Sequence, residues 1–95
     1  MARVRFLGIV RDWMRCSRLE TPADTLREVL QAMRETGGWR FEDRAFRNGG
    51  RPIPEMELIV NGHNARFLQG PDTVLKPEDE VVVFIHRSWA EVPFM

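Results

Sequence analysis

The 95-residue chain is poor in cysteine, in long apolar runs and in excess charge of either sign. Its single cysteine, Cys16, can form no internal disulfide and cannot supply a four-thiolate cluster, which argues against a secreted disulfide framework and a plant-type iron–sulfur site. The 14 basic and 14 acidic side chains cancel, so the long-range attraction between basic proteins and nucleic acids or anionic lipids is missing. We therefore expect neither nucleic acid nor a membrane as a partner.

The sequence predicts no segment that would direct the protein to a membrane or anchor it there. No apolar run approaches the roughly 20 residues that span a bilayer, and residues 1–5 lack the apolar core of a signal peptide. The length fits one domain whose modest core needs no disulfide or metal. We expect a cytoplasmic protein.

The clearest strand signals lie in residues 56–86. Residues 56–60 are dense in strand formers, and the following Asn61-Gly62 readily takes the positive φ angles of a tight hairpin turn. Residues 64–68 are predicted to return as a strand. Residues 81–85 are apolar at every position, which favours a central strand with both faces at least partly covered.

The first half predicts two strands and one helix. Alternation over residues 1–10 predicts a strand, and residues 15–20 predict a second, weakly patterned one. A helix should begin at Thr25, because Thr25 and Glu28 have the spacing of a capping box, and Gly37-Gly38 should end it. Its apolar stripe, typical of a core-facing helix, consists of Leu26, Val29, Leu30 and Met33.

The predicted order is strand, weak strand, helix, a long connection over residues 39–54 pinned by Trp39, Phe41 and Phe46, a hairpin and a final strand. One helix must bury a single stripe, so the economical solution is an α+β fold in which a mixed sheet of four to five strands wraps one main helix. This is the β-grasp, or ubiquitin-like, architecture, with its first and last strands as central, parallel neighbours. We assign residues 1–86 to this domain and residues 87–95 to an apolar C-terminal tail.

Apolar side chains are predicted on the open side of the sheet. Leu7 and Ile9 should lie there, near Val83 and Ile85 of the last strand. Such residues suggest a protein partner, although a scattered exposed leucine is common.

A local basic patch crowds the first eighteen residues against a single acid, Asp12. It is either a solvated edge that discourages pairing between sheets or a docking surface for an acidic partner. The patch consists of Arg3, Arg5, Arg11, Arg15 and Arg18.

The tail is unusually apolar for a terminus, where residues are normally polar and frayed. Its apolar residues, among them Val92, should therefore bury against the open sheet face or against a groove on a partner. The predicted partner-binding residues are Leu7, Ile9, Val83, Ile85, Arg87, Trp89, Phe94 and Met95.

No catalytic constellation is visible in the sequence. His63, His86 and Cys16 are too scattered to predict a metal site, and there is no glycine-rich phosphate loop. We predict a protein that is not an enzyme and holds no metal or cofactor.

Several short motifs follow one another over most of the chain in the order of a known family. The chain resembles the ubiquitin-like sulfur-carrier family that includes the small subunit of molybdopterin synthase and the thiamine sulfur carrier (MoaD/ThiS). The matching pieces are Val4-Arg5-Phe6-Leu7-Gly8 with Arg11, the Thr25-Leu26 helix start, Ile59-Val60-Asn61-Gly62, Asp72-Thr73-Val74-Leu75 and Glu78-Asp79-Glu80-Val81.

The resemblance implies a terminal Gly-Gly whose carboxylate is adenylated by an activating enzyme and converted to a thiocarboxylate. Here the corresponding place reads Ser88-Trp89-Ala90-Glu91, and the only Gly-Gly pairs are Gly37-Gly38 and Gly49-Gly50, in predicted interior loops. A glycine pair can thread a narrow channel, whereas Trp89 would clash there. This departure argues against sulfur carriage by the usual route.

The resemblance also implies a function and a class of partner. It implies a small protein that acts by protein–protein binding, linked to molybdopterin, tungstopterin or thiamine metabolism. Its partner would be an activating enzyme, the large subunit of a cofactor synthase or another enzyme subunit. The alternative is a non-carrier accessory or regulatory subunit of an enzyme complex.

Overall fold

In the computed structural model, which describes residues 1–47 and 50–86, a five-stranded sheet packs one face against a long helix. The chain forms, in order, β1 (Ala2–Phe6), α1 (Ile9–Met14), β2 (Arg18–Thr21), α2 (Leu26–Ala45), β3 (Phe46–Arg47), β4 (Arg51–Pro52), β5 (Met56–Val60), β6 (His63–Asn64) and β7 (Glu80–Ile85). Two short 3-10 turns lie at Ala65–Phe67 and Gly70–Asp72.

The sheet confirms the predicted β-grasp topology. Its strand order is β2-β1-β7-β5-β6, while β3 and β4 form a separate two-stranded sheet. The first and last strands, β1 and β7, are central and parallel, with Val4 opposite Val81 and Phe6 opposite Val83. The other pairs of the main sheet are antiparallel.

The core lies between one face of the sheet and the helices. Along β1 buried and exposed residues alternate strictly, because successive strand side chains point to opposite faces. The apolar stripe of α2 meets the buried face, and each large side chain removed from water contributes about 1.5–3 kcal/mol. The large apolar residues that are at most 1% exposed include Val4, Phe6, Leu26, Val29, Met33, Phe41, Val81 and Val83.

Local signals placed the ends of two elements correctly. The Thr25 side-chain oxygen accepts the Glu28 N–H at 3.3 Å, as expected of a capping box. The Glu28 carboxylate reaches back one residue further than the cap and accepts the Asp24 N–H at 2.7 Å. Asn61 and Gly62 have φ angles of 48° and 87° and join β5 to β6 as a two-residue turn.

The predicted first strand is too long. β1 ends at Phe6, Gly8 takes a φ of 60°, and Ile9 begins the short helix α1. The reason is tertiary: Val10 and Met14, four residues apart and therefore on one side of a helix, reach the core with exposures of 0% and 3%. Ile9 therefore does not lie on the sheet.

Helix α2 continues beyond its predicted end. Gly38 breaks the regular helix with φ 61° and ψ −150°, yet helical structure resumes and runs to Ala45. Phe41 is fully buried, and its ring meets that of Phe46 edge-on at 5.5 Å. Trp39, predicted as a third anchor, is instead 65% exposed.

The predicted strand over residues 64–68 is mostly absent. After the Asn61-Gly62 turn, the strand that returns along β5 consists of His63 and Asn64 alone. The Asn64 side chain then accepts the Arg66 N–H at 2.9 Å and starts a 3-10 turn that buries Ala65. A side chain that bonds its own backbone in this way competes with the strand ladder.

Candidate protein-binding surface

The face of the sheet that points away from the core carries a short apolar strip. On β7, Val81 and Val83 point into the core, so Val82 and Phe84 between them point the other way. The register places Ile59 of β5 directly opposite Val82. We call Ile59, Val82 and Phe84 the open-face strip; all three are half-buried.

Charged side chains border the strip on both sides. On the β1 side, Arg5 lies directly opposite Val82. On the β5 side, Glu57 lies opposite Phe84 and is held by Asn64, whose Nδ2 donates at 3.0 Å, and by Arg66, whose Nε lies 3.3 Å away. An apolar centre with a polar, partly paired rim is the usual composition of a protein–protein interface.

Two predicted partner-binding residues are exposed at one end of the sheet. Leu7 is 43% exposed and follows β1, where its N–H donates to the Val83 carbonyl at 3.0 Å. Ile9 is 37% exposed at the start of α1. Both side chains are accessible, although Ile9 reaches the surface from a helix and not from a strand.

The predicted placement of Val83 and Ile85 on the open face is wrong. Val83 has no exposed surface and lies opposite Phe6 and Leu58, both of which pack in or against the core. Ile85 has the same strand parity and packs partly against the core. The physical reason is the two-residue period of a strand, which puts Val82 and Phe84 on the opposite side.

The sequence alone did not identify the open-face strip. Residues 81–85 are apolar at every position, so their sequence does not show which of their side chains face the core and which face the open side. The signal for which side faces the core lay in β1, where exposed Arg3 and Arg5 alternate with buried residues. Pairing β1 with β7 in register would have assigned Val82 to the arginine side.

The remaining predicted site residues lie outside the described residues: Arg87, Trp89, Phe94 and Met95, with the rest of the proposed 87–95 tail. The last described residue, His86, donates its backbone N–H to the Glu55 carbonyl at 2.7 Å. The pairing of β5 with β7 therefore extends by one residue to the end of the described chain.

A hydrogen-bonded turn fixes the start of β7. The pKa of Asp79 is lowered from its ordinary value of 3.8, first by the hydrogen bond from the Lys76 backbone N–H and then by that from the Asn61 side chain. The Asn61 oxygen in turn accepts the Glu80 N–H at 3.0 Å. This network connects the β5–β6 turn to β7, and so holds the two strands that carry the open-face strip.

Within residues 1–47 and 50–86, no three side chains of His, Cys, Asp or Glu lie close enough to share a metal ion. In the same ranges no helix combines the length and the apolar character that crossing a bilayer requires.

Comparison with known proteins identifies related folds. The model of the ThiS family matches residues 4–86. The solution structure of small archaeal modifier protein 1 from Methanosarcina acetivorans has a TM-score of 0.82 at 20% identity and covers 92% of this chain and 93% of that one.

Two further structures are similar. The crystal structure of Mycobacterium tuberculosis CysO, described as an antigen, has a TM-score of 0.76 at 19% identity and covers 92% of this chain and 100% of that one. A chain of the Amycolatopsis orientalis BexX/CysO complex has a TM-score of 0.78 at 16% identity, with coverages of 93% and 98%. No curated protein matches the chain significantly in sequence.

Proposed function

Because the chain belongs to the ThiS family, whose model matches residues 4–86, we propose that it acts by binding another protein through the open face of its sheet. The observation that carries this proposal is the open-face strip of Ile59, Val82 and Phe84, which lies opposite the helix-covered core face. We propose further that binding, and not catalysis, is the role of this chain.

The energetics of the strip suit a binding surface. Apolar area removed from water contributes about 25 cal/mol per Å², and an aromatic side chain such as Phe84 is the type that most often dominates interface energies. The fold already holds these residues in a rigid sheet, so little conformational entropy is lost when a partner covers them. The similar chain from Amycolatopsis orientalis was solved in the BexX/CysO complex, and this supports a protein partner.

We infer the class of partner from the family. A sulfur-carrier lineage supports an activating enzyme or the large subunit of a cofactor synthase, in molybdopterin, tungstopterin or thiamine metabolism. We place this activity in the cytoplasm, whose reducing conditions suit the single free Cys16.

The second candidate function is that of a non-carrier accessory or regulatory subunit of an enzyme complex. The stretch from His86 to Met95 contains no glycine, and this observation favours the second function. Intact mass of the protein from its native cells decides between the two. A thiocarboxylate adds about 16 Da, because sulfur replaces oxygen, and its presence would establish the carrier role.

The binding proposal is tested with the partner itself. The tagged chain is used to capture its partner from native cells, and the complex is then reconstituted from purified components. We expect Phe84→Ser to weaken binding about 10-fold or more, as loss of a central aromatic does. The measurement is the dissociation constant by titration calorimetry.

Val74→Ser is the matched control, because Val74 is apolar and 70% exposed but lies in the segment before β7, outside the open-face strip. It should bind as the unsubstituted chain does. If Phe84→Ser binds equally well, or if both variants lose affinity to the same extent, the partner does not use this face.

A further inference from the structure

We propose that the partner docks on the open face with an acidic side chain seated between Arg5 and Arg18, beside Val82. The proposal rests on the proposed function and adds the chemistry of the partner: an aspartate or glutamate flanked by an apolar residue. Charge complementarity at this one place on the sheet carries it.

Two arginines oppose each other across neighbouring strands. In the antiparallel β1–β2 register Arg5 lies directly opposite Arg18, and both side chains are exposed. Residues in such a pair have Cβ atoms about 5 Å apart, and like charges there destabilise the sheet. An anion between the two guanidinium groups would reverse this repulsion.

Two carboxylates of the same face lie opposite a different arginine. Arg3 lies opposite Glu20 of β2 on one side and opposite Glu80 of β7 on the other. The neighbour of Arg5 on the β7 side is instead Val82. In residues 1–47 and 50–86 the arginines that form ion pairs are Arg27, Arg34 and Arg66, so Arg3, Arg5 and Arg18 are not among them. Arg5 and Arg18 differ from Arg3 in having no carboxylate opposite them in the register.

The arginine pair lies in a shallow depression with room for a small group. Its volume is about 250 Å³, and three arginines and two glutamates line it, so their charges sum to +1. One carboxylate would neutralise this charge. A phosphate dianion or a nucleic acid carries more negative charge, and the excess would be repelled by Glu20 and Glu80. The depression borders the open-face strip, so an apolar neighbour of the carboxylate would reach Val82.

Planar guanidinium groups suit this ligand. Arginine presents its donors in a fork that matches both oxygens of a carboxylate. Two such forks on adjacent strands would specify a carboxylate and its orientation, while the strip contributes apolar burial. The partner surface is therefore expected to combine one acidic residue with an aliphatic or aromatic one.

A short peptide titration followed by NMR tests the site without the cellular partner. The probe is a blocked tripeptide with one glutamate between two leucines, and its glutamine counterpart is the neutral control. We expect saturable shifts of the Arg5, Arg18 and Val82 signals with the acidic peptide. Arg18→Gln should weaken this binding about 2- to 5-fold, the upper part of the range of an exposed charge pair.

The chain offers a matched control in Arg51→Gln. Arg47 and Arg51 also oppose each other across a strand pair, but they lie in the separate β3–β4 sheet. Arg51→Gln makes the same change of charge and should leave peptide binding unchanged. Both variants should fold at least as stably as the parent, because each removes a like-charge pair.

Several results would overturn the inference. Equal binding of the glutamine peptide, or equal loss in Arg51→Gln, would remove the specific carboxylate site. Tighter binding of inorganic phosphate than of the peptide at Arg5 and Arg18 would assign the site to phosphate. Self-association of Arg18→Gln in sedimentation, without loss of peptide binding, would show that the arginines only keep the sheet edge from pairing.

The cellular partner separates this inference from the proposed function. A reconstituted complex that is weakened by Phe84→Ser but not by Arg18→Gln contradicts the arginine site alone. A complex that is indifferent to Phe84→Ser contradicts the proposed use of the open face.

Discussion

Single residues connect the turns of this fold to its proposed binding face, and Asp79 is the clearest case. Its carboxylate accepts the Lys76 N–H at 2.8 Å and the Asn61 Nδ2 at 2.9 Å. We expect Asp79→Ala to lower the free energy of unfolding at neutral pH by about 0.5–1 kcal/mol, the net contribution of a hydrogen bond. Urea unfolding measures this difference.

The pH dependence follows from the direction of the pKa shift. The folded-state pKa of Asp79 lies below 3.8, so folding favours the charged carboxylate, and the stabilisation is fully present above the unfolded pKa. It is lost as the pH falls through the folded pKa. The difference between the parent and Asp79→Ala should therefore shrink progressively when unfolding is measured at pH values below 3.8.

Glu78→Ala is the control, because Glu78 is the exposed carboxylate next to Asp79. It should change stability by less than about 0.5 kcal/mol, as expected for an exposed side chain. A difference for Asp79→Ala that stays constant from neutral to acidic pH would contradict the role of its charged form.

Among the structural elements, α2 depends on two glycines at its kink. Gly38 has φ 61° and ψ −150°, a conformation that an L-residue adopts only with strain. A Cβ on Gly37 would lie 2.7 Å from the Phe41 Cβ, which belongs to a fully buried residue. The kink thus lets the second part of α2 return to the core.

We expect either alanine substitution to destabilise the protein although alanine favours helix. Gly38→Ala should cost about 1–3 kcal/mol through backbone strain, and Gly37→Ala about 1–3 kcal/mol through overpacking. Chemical denaturation measures both. Glu35→Ala, on the exposed face of the same helix, should change stability by less than about 0.5 kcal/mol.

These elements show which features the sequence predicts. The Thr25 cap and the Asn61-Gly62 turn depend on neighbouring residues alone, so the sequence was enough to predict both. Helix α1 and the second part of α2 were missed, because Val10 and Phe41 are held by the core and not by local propensity. At Ile9, tertiary packing favoured a helix where the alternating pattern predicted a strand. At Gly38, it favoured a further stretch of helix where the two glycines predicted an end.

At the scale of the whole molecule, the order of elements was enough to predict the fold. One helix among strands allows few ways to bury an apolar stripe, and the predicted parallel pair of β1 and β7 is present. The proposed binding face was harder to predict, because the side chains that it carries depend on the pairing of β1 with β7. The arginines of β1 showed which face of the sheet is exposed, and residues 81–85 did not.

Neighbouring valines of β7 should therefore separate stability from binding. Val83 is fully buried, and Val83→Ala should cost about 2–3 kcal/mol, because it removes two buried carbons and leaves a cavity. Val82 is half-buried on the open face, so Val82→Ala should cost less than about 1 kcal/mol while weakening the reconstituted partner complex. Urea unfolding and calorimetric titration of the same two variants measure the two effects. A Val82→Ala variant as destabilised as Val83→Ala, with unchanged binding, would mean that the open face is covered by the chain itself.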